Sequence, residues 1–212
     1  MDLLYPSHLY CICCGNIIDK SRPYELCDHC MSKLPWYEEG ISIIKGVPMV
    51  RACLYDDYSK RIVFNLKFKG KRYIARILGE IIADALLAQE VFCLENFSLI
   101  TSVPISVKKN NDRGFNQAKL VAIYVAEQLK IPYAELMVRV KNTKPMSHLD
   151  KKERQENIKD AFSLKNGVDI KGKGIIIIDD FLTTGSTCSE CVSVLKREGA
   201  GDCFIGVFAS NH

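Results

Sequence analysis

The chain has 212 residues, a formal charge of +4, 48% apolar residues and 25% charged ones. That length accommodates one full domain with a small appendage, and the balance is that of an ordinary globular protein. No apolar run approaches the ~20 residues that span a bilayer. Residues Met1 to His8 lack the basic-then-apolar order of a secretion signal, so a cytoplasmic location is expected. Ten cysteines without such a signal fit a reducing compartment, with thiols used for metal binding or packing.

In chain order, the first feature is two Cys-x-x-Cys pairs, Cys11 with Cys14 and Cys27 with Cys30, twelve residues apart. Each pair bends its backbone into a knuckle, and four thiolates can then close tetrahedrally on Zn²⁺. Gly15 eases the first turn, and Cys13 and His29 are substitute ligands. A redox pair or accidental clustering is the competing reading of this spacing. The segment has few large aliphatic residues, so bound metal would supply stability that its own core cannot. Four protein ligands leave no open position, which makes the site structural. Leu34-Pro35-Trp36 reads as the junction, giving a four-cysteine zinc ribbon over residues 1–36 and a second domain over 50–212.

Ala52 to Tyr55 suggests a strand. From Lys60 to Arg76 lie seven cations and no acidic residue, with Lys108, Lys109 and Arg113 as a second basic group. These suit either a solvated helix face or a pyrophosphate or nucleic-acid backbone. Ile74, Ile77, Leu78, Ile81, Ile82, Ala85 and Leu86 form a helical stripe within Tyr73–Glu90. Ser98 to Val103 is a strand closed by Pro104, and Phe115 to Lys130 the next helix. Tyr133 to Val140 has mixed strand character, and the polar stretch Lys141 to Gln155 suits a mobile loop.

Gly174 to Thr187 carries the chemistry. Ile175 to Ile178 reads as a short strand buried on both faces. Asp179 and Asp180 then stand at its carboxyl end, where open α/β sheets place ligands. Thr183, Thr184, Gly185, Ser186 and Thr187 offer N–H groups and hydroxyls ahead of a helix, a seat for phosphate. Carboxylates beside a phosphate seat call for a ligand with hydroxyls or a metal, and a sugar phosphate supplies the hydroxyls. Cys188 and Cys191 read as small apolar fillers, with a thiol activated by the helix start as the alternative. Gly199 caps that helix, and Cys203 to Ala209 forms a closing strand. Alternating strands and helices indicate an α/β parallel sheet flanked by helices.

The stretch from Ile175 to Thr187 resembles the phosphoribosyl-pyrophosphate motif of type I phosphoribosyltransferases. With the paired cysteines, Lys67-Phe68-Lys69-Gly70, Val103-Pro104-Ile105-Ser106, Arg113-Gly114-Phe115-Asn116-Gln117-Ala118, Arg139 with Thr143 and Pro145, and Arg154 with Asn157 and Phe162, the chain resembles the ComF/GntX family. That family joins a zinc-ribbon head to a type I phosphoribosyltransferase-like domain. The resemblance implies that Asp179 and Asp180 take the ribose hydroxyls of phosphoribosyl pyrophosphate (PRPP). Thr183 to Thr187 would hold its 5′-phosphate, Arg113 its pyrophosphate, and Mg²⁺ would accompany it. One departure is Met146, where the family usually has Gln.

Two functions follow from the resemblance. One is transfer of phosphoribosyl to an unidentified acceptor, with Asp179, Asp180 and Arg113 as the catalytic residues. The other is a non-catalytic module that binds PRPP and single-stranded DNA and works with competence proteins in DNA uptake. Purine-salvage relatives commonly carry Asp at the position of Thr183; a threonine cannot deprotonate a nucleobase, which weighs against that chemistry.

Overall fold

The computed structural model describes residues 9–90, 92–141 and 151–211, excluding the side chains of residues 107–109, 151, 152, 154 and 155. At the centre is strand β6 (Ile175–Leu182), whose four isoleucines are fully buried. A run of branched residues with no polar alternation needs cover on both faces, and β6 finds it inside a five-stranded sheet ordered β1-β2-β7-β6-β3. Strands β2 (Val47–Leu54), β3 (Leu99–Ser102) and β7 (Cys203–Ser210) complete the parallel part. The short strand β1 (Ser42–Ile44) is antiparallel to β2 at the edge.

Helices cover both faces. On one, α2 (Asp57–Phe68), α3 (Ile74–Leu87) and α5 (Gln117–Leu129) bring Ile62, Ile77, Ile82 and Val125 against Ile176, Ile178 and Phe208. On the other, α7 (Ser186–Arg197) and the antiparallel pair β4 (Met137–Arg139) and β5 (Phe162–Leu164) set Cys191, Leu195 and Phe162 against Ile175, Ile177 and Val207. Helices α3 and α5 approach closely at Gly79, where an added Cβ would meet Tyr124 Cβ at 2.5 Å. Three short helices are α1 (Asp28–Lys33), α4 (Val107–Arg113) and α6 (Lys151–Ile158), of which α1 adds Cys30 to the first cluster and α6 adds Ile158 to the second.

The α/β architecture matches the expectation, with differences in its elements. The strand read at Ala52–Tyr55 begins at Val47 and is preceded by β1, a hairpin hidden by Pro48 and Arg51. Tyr133–Val140 contributes a single parallel bridge, Tyr133 to Ile100 of β3, and the strand Met137–Arg139 of the small second sheet. The loop expected through Gln155 gives way to α6 from Lys151. Helix α2 escaped notice because its buried residues alternate with cations and exposed aromatics. It is nonetheless firmly started: Asp56 accepts from Ser59 N at 2.8 Å, and Ser59 Oγ accepts from Asp56 N at 2.9 Å, a reciprocal cap. Thr143, Pro145 and Met146, and the side chains of Lys108, Lys109 and Arg154, lie outside the described residues.

The cysteine-rich segment rests on α2 and α3. Asn65 of α2 donates from Nδ2 to Ile12 O at 3.0 Å, Arg76 of α3 pairs with buried Glu25, and Tyr24 donates to Asp84 at 2.7 Å. Its Ile12, Leu26 and Cys30 belong to the same apolar cluster as Ile62, Leu66 and Ile74.

Candidate functional site

Strand β6 pairs with β3 only to Ile178, opposite Ser102, yet with β7 as far as Leu182, opposite Ser210. The expected end of the strand therefore holds on one edge alone. Asp179 and Asp180 stand beyond the end of β3 while the longer β7 still holds their backbone straight. Consecutive strand residues face opposite sides of the sheet, and these two carboxylates do so. Asp180 turns towards α2, 1% exposed, where Lys67 Nζ meets its Oδ2 at 2.5 Å. Asp179 turns towards α7, with Cys188 Sγ 4.0 Å from Oδ2, and its Oδ1 accepts from Asp180 N at 2.9 Å. Burial pushes the Asp179 carboxyl well above the usual carboxylate range. The negative charge of Asp180 adds to this, and Lys67 opposes it.

The loop after β6 turns on Gly185, at φ 69°, and α7 begins at Ser186. Thr183, Thr184, Gly185, Ser186, Thr187 and Asp179 line one small hollow of about 40 Å³. Asp179 thus meets the predicted phosphate residues at one place, on the N-terminus of a helix whose first amides have no partners within it, whereas Asp180, turned to α2, is not among the residues lining it. Thr184 Oγ1 and Ser186 Oγ share a hydrogen bond of 3.0 Å. Two cations stand by these residues: Lys67, which sequence reading named only within a basic run and a family motif, meets Asp180, and Lys45, which it did not name, meets the loop. Lys67 comes from α2. Lys45 comes from the two-residue turn of the β1–β2 hairpin and sets Nζ 3.4 Å from Ser186 Oγ. Lys45-Gly46 between two apolar runs was the available signal, with φ 48° and 80° as such a turn requires.

Arg113 is not among the residues lining that hollow. Its guanidinium lies 5.0 Å from the Phe68 ring centroid and donates to Gln117 Oε1 at 3.1 Å. Phe68 follows Lys67, so one turn of α2 carries an inward ammonium on Asp180 and an outward ring under Arg113. Phe64 and Phe68 are 48% and 61% exposed, with centroids 5.0 Å apart. Arg72 covers Phe115 at 4.8 Å nearby. A further cavity, about 510 Å³, opens at the carboxyl end of β3 and includes Ser102, Asn116, Glu135, Met137 and Arg139. In it Glu135 is held between Lys119 at 2.5 Å and Lys165 at 2.7 Å, which keep its carboxyl below the ordinary range.

The sulfurs of Cys11, Cys14, Cys27 and Cys30 lie within 4.8 Å of one another. Cys14 and Cys27 are 3.8 Å apart, close to the edge of a tetrahedron with metal–sulfur bonds of about 2.3 Å. The cluster fits a metal ion. Cys11 and Cys14 are brought together by a turn in which Gly15 N donates to Cys11 O at 2.9 Å. Cys27 caps α1 and accepts from Cys30 N. Cys13 and His29 stand apart, engaged with Tyr58: Cys13 Sγ reaches Tyr58 O at 3.8 Å and His29 Nε2 the phenol at 3.3 Å. Burial drives the Cys188 and Cys191 thiols far above their ordinary range, as expected of packing residues.

Comparison with known proteins places these features in context. The phosphoribosyl transferase domain family matches residues 116–211. The DNA utilization protein YhgH of Salmonella typhimurium is 30% identical over 192 residues, 90% of this chain and 79% of that protein. Competence protein F of Haemophilus influenzae is 32% identical over 190 residues, 85% of this chain and 81% of that one. An adenine phosphoribosyltransferase of Leishmania donovani superposes with a TM-score of 0.42 at 16% identity, over 92% of this chain and 82% of its own. No helix among the described residues is long and apolar enough to cross a membrane.

Proposed function

The chain belongs to the ComF/GntX family, and from that membership we propose that it binds PRPP at Asp179–Thr187 and transfers the phosphoribosyl group to an acceptor nucleophile. The observation that carries this reading is the junction of Asp179 with the Thr183–Thr187 loop on the N-terminus of α7. There the loop amides and the hydroxyls of Thr184 and Ser186 receive the 5′-phosphate, while the carboxylates accept from the ribose hydroxyls. In the reaction the anomeric C–O bond to pyrophosphate breaks, its electron pair leaves with the pyrophosphate, and the nucleophile bonds to the same carbon. The chain contributes orientation, together with cations near the departing charge. The hard oxygens of Asp179 and Asp180 suit Mg²⁺, which when bound with the substrate would offset the pyrophosphate charge. The four thiols suit Zn²⁺ as a structural ion that fixes the N-terminal segment against α2 and α3.

Thr183 supplies no carboxylate to deprotonate a purine, so the acceptor is expected to need no base at that position. Pyrophosphate release from PRPP against a panel of bases and amines tests the enzyme, and failure of PRPP to bind in calorimetry rejects the site. A second reading, a module that engages single-stranded DNA, draws support from Phe64, Phe68, Arg72, Arg113 and Phe115. Exposed rings interleaved with guanidinium groups suit bases and a phosphate backbone. Salt-sensitive DNA binding without turnover favours that module, and turnover favours the enzyme.

A further inference from the structure

Two adjacent carboxylates are a poor neighbour for a polyanion. A ligand that brings a phosphate and a pyrophosphate to Asp179 and Asp180 meets like charge where its hydroxyls must bind, and burial strengthens the repulsion. A cation supplied by the chain itself would answer this, and Lys67 is placed to do so. It lies in the last turn of α2, its side chain 18% exposed, with Nζ 2.5 Å from Asp180 Oδ2. The contact is close but poorly aligned: among the described residues Asp180 Oδ2 has no hydrogen bond of acceptable geometry. An ammonium on a flexible four-carbon stem is a point charge that re-aims easily.

We propose that Lys67 is the counter-cation of the acidic pair and a specificity-determining residue: in the free protein its ammonium rests on Asp180, and in the complex it turns onto the ligand's anomeric pyrophosphate. The ribose 2-hydroxyl is on the carbon next to the anomeric one, so a cation beside the carboxylate that accepts from it stands near the leaving group. The site thereby prefers a sugar carrying pyrophosphate over the same sugar phosphate without it. The inference rests on the PRPP reading and deepens it. A lysine that served only to neutralise a buried carboxylate would influence folding but not choose between ligands.

The experiment measures affinity for PRPP and for ribose 5-phosphate by calorimetry in the wild type, Lys67→Met, Lys67→Gln and Lys67→Arg. Lys67→Gln retains a donor to Asp180 without the charge and covers the case in which Met destabilises the fold; circular dichroism verifies each variant. Loss of the charge is expected to weaken PRPP at least tenfold and ribose 5-phosphate much less, with Lys67→Arg recovering part of the loss. If the wild type binds PRPP and a folded neutral variant matches it in affinity and ligand preference, the inference falls alone. If the wild type does not bind PRPP, the sugar-phosphate reading falls and takes this inference with it.

Discussion

Lys45 Nζ lies 3.4 Å from Ser186 Oγ, 141 residues away in the chain. Its hairpin brings a positive charge to the loop that otherwise offers a phosphate only amides and hydroxyls. Lys45→Ala is expected to weaken PRPP and ribose 5-phosphate to the same degree, since both carry the 5′-phosphate. A loss of roughly tenfold corresponds to one charge-assisted hydrogen bond. Calorimetry with the two ligands checks this, and unchanged affinity for both would put the phosphate elsewhere.

Gly185→Ala should disrupt the same corner by sterics. At φ 69° a side chain is strained, and its Cβ would stand 2.5 Å from Ile44 Cγ2. A destabilisation of about 1–3 kcal/mol is expected. Thermal melting measures it, and a melting temperature equal to that of the wild type would contradict the contact.

Asp179→Asn is expected to stabilise the fold near neutral pH while abolishing PRPP binding. The folded state raises the Asp179 pKa above its unfolded value. Between those two values the native state holds more protons, so this group makes stability decline as pH rises through the window. Asparagine removes the dependence. The melting-temperature gap between variant and wild type should widen as pH climbs from 4 through the raised pKa, by roughly 2–4 °C for each kcal/mol relieved. A flat or shrinking gap would mean that the carboxyl is not destabilised in the fold.

One zinc per chain is expected by elemental analysis of protein purified without a tag. Cys14→Ser should lose it and melt earlier, whereas Cys13→Ser, whose thiol faces the Tyr58 carbonyl, should retain it. Metal loss from the Cys13 variant and not from the Cys14 one would reassign the ligands.

Phe64→Ala with Phe68→Ala tests the aromatic face of α2. Base–ring stacking is worth about 1–3 kcal/mol per base, so affinity for single-stranded DNA should drop tenfold or more in a salt-titrated assay. Ribose 5-phosphate affinity should hold, because neither ring lines the hollow beside Asp179.

Much of the site could be read from the sequence because its parts are contiguous. The isoleucines, the two aspartates and the small hydroxyl residues follow one another along one strand, one turn and one helix start. The cysteine pairs were legible for the same reason: each knuckle is local, and the spacing alone names its chemistry. Helix α3 announced itself through an unmixed apolar stripe. Helix α2 did not, since Ile62, Val63 and Leu66 share it with Lys60, Arg61 and exposed Phe64 and Phe68. The β1–β2 hairpin was missed because its strands are defined by partners far along the chain, β2 by β7 above all.

The sequence by itself determined the sheet-and-helix class, the loop at the amino end of α7 and the four thiols that converge. Tertiary structure alone decided which charges face that loop. Nothing in the motif Lys67-Phe68-Lys69-Gly70 says that Lys67 meets Asp180, and nothing near Lys45 mentions Ser186. Their roles depend on how α2 and the hairpin pack over β6. Electrostatic partnership is a matter of ångströms in space, and separation along the chain carries no record of it.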